Sequence, residues 1–136
     1  METAERIESA LASCSGTEGY RFNALTRAAN MVYTDGVKMM ADMCEAHWLI
    51  DAIVSYQKRC MKDEMLRQMQ FWTLKVDDGS AILVCERDTG NVFLTQKIDT
   101  TDFPLPEMKI WLEAGWTSFG GGKPGRVMVA MLPSEH

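Results

Sequence analysis

Histidine is nearly absent from this chain. Among 136 residues only His47 and His136 carry an imidazole. One internal histidine, beside Trp48 in a helical stretch, cannot supply a Ser-His-Asp or Cys-His relay or a histidine-based zinc site. It reads as a structural hydrogen-bonder. Paired cysteines are lacking too. Of Cys14, Cys44, Cys60 and Cys85, the nearest two are 16 positions apart. That excludes a Cys-x-x-Cys zinc or thioredoxin-type motif, and the four are expected to be reduced, buried thiols acting as small hydrophobes. No apolar run approaches the roughly 18–20 residues of a membrane-spanning helix. Met1-Glu2-Thr3-Ala4-Glu5 is acidic where an export signal is basic, so a soluble, cytoplasmic protein is expected. A phosphate-binding loop is also missing. The nearest match, Gly120-Gly121-Gly122-Lys123, runs into Pro124-Gly125 and a strand, which suits a flexible hairpin tip. No metal and no cofactor is expected.

What is present suits one globular domain. Apolar residues make up 46% and charged residues 24%, enough to bury a core without disulfide or metal staples. The formal net charge of −5 favours solubility and disfavours direct nucleic-acid binding. Residues 1–136 are expected to divide into a mainly helical half (1–57), a connecting segment (58–70) and a sheet half (71–136). The predicted class is α+β: N-terminal helices packed on one face of a four- to five-stranded antiparallel meander.

Local patterns carry that expectation. Ile7, Ala10, Leu11 and Cys14 form a helical stripe over about 3–13, with Thr3 as its cap and Ser15-Gly16-Thr17 as its stop. Tyr20 and Phe22 suggest a short edge strand or an irregular segment. Thr34-Asp35-Gly36 starts a helical pattern that runs to about Gln57, with a break near 45–47. From Phe71 the period changes to two. Strands are predicted over 71–76, 81–86, 92–98, 108–112 and 126–132. Asp77-Asp78-Gly79 and Asp88-Thr89-Gly90-Asn91 make hairpin turns, and Pro104 and Pro106 interrupt the chain before the fourth strand.

Candidate chemistry is sparse. Asp35 and Asp102 follow threonines, and Asp51 sits among Leu49, Ile50, Ala52 and Ile53. As a converging trio they would make a small carboxylate-dependent enzyme. The competing reading has Asp35 capping a helix, Asp102 shaping the turn before Pro104, and a buried Asp51 paired with Arg21 or Arg27. Interaction candidates are the cations Lys58, Arg59, Lys62, Arg67, Lys123 and Arg126, with the acids Asp77, Asp78 and Glu86. Met61, Met65 and Met69 have i, i+4 spacing, which suits a helical core, partner face or dimer seam.

Several motifs also form a pattern along the chain. Ser15-Gly16-Thr17-Glu18, Tyr33-Thr34-Asp35-Gly36-Val37, Trp48-Leu49-Ile50-Asp51, Thr101-Asp102-Phe103-Pro104 and Leu132-Pro133-Ser134-Glu135 together resemble a family of small uncharacterised bacterial and phage proteins, a domain of unknown function. Two positions depart from it: Cys14 stands where the resemblance implies an aromatic residue, and Phe22 where it implies a histidine. The resemblance implies a compact domain from a phage or mobile element and no particular activity. In that setting the expected function is a non-enzymatic protein-binding module. It would act by occlusion, as an inhibitor of a host defence complex such as a CRISPR effector. A homodimeric structural protein is the remaining alternative.

Overall fold

Period-two alternation builds the centre of the molecule. The computed structural model describes residues 4–13, 19–119 and 122–136. Strands β2 (Met69–Asp77), β3 (Ser80–Glu86) and β4 (Val92–Ile98) form the predicted antiparallel meander. Asp78 and Gly79, with φ of 48° and 79°, make the two-residue turn between β2 and β3. Positive φ at both positions gives that turn the twist its strands need. Strand β5 (Glu107–Thr117) returns to the other side of β2, and β6 (Gly125–Met131) pairs antiparallel with β5.

The class is α+β, but the sheet is larger than predicted and mixed. Among the described residues it has six strands in the order β1-β6-β5-β2-β3-β4, and β1 (Met31–Tyr33) lies parallel to β6. All three β1 residues are buried, so the strand shows no alternation to read. The edge strand expected at 20–22 reduces to one bridge between Arg21 and Tyr33.

Among the described residues five helices precede β2: α1 (Ala4–Ala12), α2 (Ala24–Ala28), α3 (Asp35–Met43), α4 (His47–Ser55) and α5 (Gln57–Cys60). Strand β1 interrupts them, so helices do not all come before strands. Helix α1 buries Ile7 and Leu11, as its stripe predicts. Thr3, Cys14 and Ser15-Gly16-Thr17 lie outside the described residues. The break between α3 and α4 falls at 44–46, where Glu45 takes a φ of 51°. Val37, Met40, Leu49, Ile50 and Ile53 from the helices pack with Trp72, Leu74, Leu83, Ile110 and Leu112 from the sheet in one core. Fully burying each such side chain is worth about 1.5–3 kcal/mol.

Within the segment 58–70, residues 58–60 belong to α5 and the rest runs as turns up to β2. Asp63 holds these turns. Its Oδ1 accepts from the backbone N–H groups of Met65 and Leu66 at 3.0 and 3.1 Å, and its Oδ2 accepts from Arg87 Nε at 2.8 Å. The Arg87 guanidinium, then the Leu66 N–H, keep the Asp63 carboxyl below the usual range. The helical methionine seam is therefore absent. Met61 packs half-buried on the core, Met65 is exposed, and Met69 opens β2.

Beneath this segment lies a buried amide pair. Gln57 Nε2 donates to Gln70 Oε1, and Gln70 Nε2 donates to Gln57 Oε1, both at 2.9 Å. The remaining donors reach the carbonyls of Ile53 and Leu66, and Trp72 Nε1 donates to Gln70 Oε1 at 2.8 Å. Desolvating two amides is tolerable only when their hydrogen bonds are replaced in this way. The pair ties α5 to β2.

Candidate functional site

The two Thr-Asp pairs have the same local construction, and in both it is the threonine that bonds the backbone. Thr34 Oγ1 accepts from the Val37 N–H at 3.3 Å as the N-cap of α3. Thr101 Oγ1 accepts from the Phe103 N–H at 3.2 Å, so the turn before Pro104 is shaped by Thr101 and not by Asp102. Asp35 sits in the first turn of α3 and pairs with Arg21 at 2.6 Å, both half-exposed. Asp51 and Asp102 are exposed. Asp51 is thus not a buried charge, and Arg21 pairs with Asp35 instead. Arg27 lies over the rings of Phe22 and Phe119, at 5.9 and 5.3 Å from their centroids.

The motifs near residues 34 and 135 meet in space. Thr34 Oγ1 donates to Glu135 Oε1 at 2.7 Å, and the Gly36 N–H donates to Glu135 Oε2 at 3.3 Å. The Leu132 N–H donates to Oε1 at 2.9 Å. A carboxylate at the open end of a helix satisfies unpaired N–H groups and faces the positive end of the helix dipole. Gly36 makes room for it: a Cβ there would lie 2.5 Å from Glu135 Oε1. Sequence reading missed this clasp, because nothing local in Ser134-Glu135 points to a helix start ninety-nine residues away.

Cys44, Cys60 and Cys85 are free and buried. Burial pushes the Cys44 thiol up to about 11. The Cys85 thiol is raised by its hydrogen bond to Cys60 and then by burial. His47 bonds Asp42 at 2.8 Å on the surface. Among the described residues no group of three His, Cys, Asp or Glu side chains is placed to hold a metal ion. Nor is any helix among them long and apolar enough to cross a membrane.

Some of the interaction candidates do converge. Leu25, Ala28, Val54, Lys58 and Met61 line a groove of about 450 Å³ between α2, α4 and α5. Past Ala29, Asn30 and Met61 it continues to Arg126 and Met128 on β6. Arg126 Nη2 donates to the Arg67 carbonyl at 2.6 Å, tying β6 to the turn before β2. Leu25 is 56% exposed, and Trp116, the register partner of Arg126, is 67% exposed. Lys62 is exposed on the same turn, and Lys123 on the β5–β6 connection at that end of the sheet; Gly120 and Gly121 of this loop lie outside the described residues. Arg59 turns away, over the rings of Tyr56 and Phe93. Asp77 and Asp78 occupy the opposite end of β2. Glu86 ends β3, where its Oε2 accepts from the Gly90 N–H at 2.7 Å. Phe22 packs edge-to-face on Phe119 at 5.0 Å, so the aromatic that replaces the implied histidine has a packing role.

The chain belongs to a family of unknown function (DUF6876), which matches it over residues 5–136. No curated protein and no solved structure matches it.

Proposed function

We propose that this protein is a non-enzymatic binding module whose groove between α2, α5 and β6 takes an acidic, apolar segment of a protein partner. One observation carries this: Lys58 and Arg126 stand at the two ends of a continuous apolar groove with no carboxylate in its lining. The chain as a whole carries −5, so a positive groove runs against the general field and selects for acidic surfaces. Exposed Leu25 and half-buried Met61 supply the apolar contact that such an anchor needs. A standard interface of about 800 Å² per partner is close to a tenth of the 7712 Å² surface. Set against a host defence complex such as a CRISPR effector, the same surface would act by occlusion. Asp35, Asp51 and Asp102 line neither part of the groove, which favours binding over the carboxylate enzyme.

The test is quantitative capture of the partner by wild type and by Leu25→Glu and Lys58→Glu, both exposed positions. Each variant should keep the wild-type circular dichroism and bind at least about tenfold more weakly. Equal binding by both would overturn the assignment to this groove. A doubled mass in sedimentation that Leu25→Glu abolishes would make the occupant a second copy of this chain.

A further inference from the structure

The face of the sheet turned away from the helices holds a second buried cluster of Val32, Val127, Val129 and Met131 on its β1–β6 side, and across β2, β3 and β5 it carries a second site, independent of that groove. Phe71 and Thr73 on β2, Lys109 and Trp111 on β5, and Glu86 and Asp88 at the end of β3 surround a cleft of about 420 Å³. Its walls are aromatic: Phe71 and Trp111 meet edge-to-face at 5.4 Å. Its floor is Thr73, which is only 8% exposed.

Thr73 is the anomaly. Five polar side chains are buried among the described residues: Thr26, Thr34, Gln57, Gln70 and Thr73. The side chains of the first four are hydrogen-bonded, that of Thr26 to the Asn23 backbone N–H and carbonyl. The Thr73 hydroxyl bonds to no described residue, and its register partner on β3 is the apolar Val84. An unpaired buried hydroxyl is costly, and its persistence points to a partner supplied from outside. The charges around it are split by side. Glu86 and Asp88 lie on the β3 side, and Lys109 on the β5 side. Glu86 has one carboxylate oxygen left after Gly90. Among the described residues Lys109 is held by an exposed contact to Glu107 at 3.6 Å, which is weak.

We propose that this cleft binds a dipeptide-sized zwitterion, with its ammonium end at Glu86 and Asp88 and its carboxylate end at Lys109. The Thr73 hydroxyl bonds the central peptide group, and an apolar side chain lies against Trp111. Length decides between ligands. Strands β3 and β5 flank β2 and so stand about 9.5 Å apart. A dipeptide spans about 7 Å and can bridge the two rims with help from the side chains. A free amino acid carries both charges on one carbon and cannot.

The test uses alanyl-phenylalanine, its N-acetyl and amide derivatives, and free phenylalanine, with amide and indole shifts of the labelled protein as readout. The unblocked dipeptide should shift Thr73 and Trp111, and each blocked form and free phenylalanine should bind at least about fivefold more weakly. Thr73→Val should weaken binding about tenfold while leaving shifts outside the cleft in place. Asp88→Asn, at an exposed position, should weaken the dipeptide and leave the N-acetyl form unchanged. Blocked and unblocked peptides binding alike, or no shift up to about 10 mM dipeptide, would overturn the proposal. So would equal binding by Thr73→Val.

Discussion

The two faces of the sheet treat buried polar atoms differently. Under the helices, the Gln57 and Gln70 amides and the Trp72 indole are cut off from water and all are paired. On the open face the Thr73 hydroxyl is nearly as buried and unpaired among the described residues. A closed interior must satisfy its own polar groups, because nothing else will. A face that receives a ligand can leave one unsatisfied and recover the cost on binding. Polar satisfaction therefore separates the structural side of this sheet from the receptive one.

Breaking the covered side should show the largest effect. Gln70→Leu strands the Trp72 N–H and the Gln57 amide together and should cost about 3 kcal/mol in urea unfolding. Replacing both glutamines with leucine should cost less than the sum of the single changes, since no orphaned amide remains. The clasp at the start of α3 comes next. Glu135→Ala should cost about 1–2 kcal/mol by releasing the Gly36 and Leu132 N–H groups and the Thr34 hydroxyl. Gly36→Ala should destabilise wild type, because the new methyl displaces the carboxylate. In the Glu135→Ala background it should stabilise by up to about 1 kcal/mol, the helix preference of alanine over glycine. The same sign in both backgrounds would break the account of Gly36 as a seat for the carboxylate.

On the open face the sign should reverse. Thr73→Val keeps the β-branched shape, removes an unpaired hydroxyl and should raise stability by about 1 kcal/mol in the ligand-free protein. Destabilisation would erase the contrast between the faces. The smallest effect concerns Asp63 at the rim of the covered side. Arg87 holds its carboxyl below the usual range. Its contribution is therefore present above the unfolded value of about 3.9 and lost as pH falls through the lower folded value. Asp63→Asn should flatten the loss of stability below about pH 4, with little change in the slope at neutral pH.

Much of the sheet was legible because alternation is local. Phe71 to Val76, Ala81 to Glu86 and Val92 to Ile98 show their pairing in residue type and turn chemistry, and the structure pairs them accordingly. Strand β1 was not legible, since Met31-Val32-Tyr33 is buried throughout and has no period. The methionine spacing at 61, 65 and 69 does not mark one helical face, because α5 ends at Cys60 and Met69 already belongs to β2. Of the site residues, Lys58 and Arg126 were visible as cations, but not as the two ends of one groove. Thr73 carried no signal: in a strand it looks like any exposed β-branched polar residue.

What the sequence determined by itself follows from short-range physics. It set the α+β class, the hairpin turns and the break after α3, because each depends on residues a few positions apart. Tertiary structure alone decided which distant groups meet. It placed Glu135 on α3, Gln57 on Gln70, Arg126 beside Met61, and Thr73 under a cleft without a partner. Those outcomes depend on strand order and helix docking, which are set by the summed burial of the whole core and leave no mark on the residues they bring together.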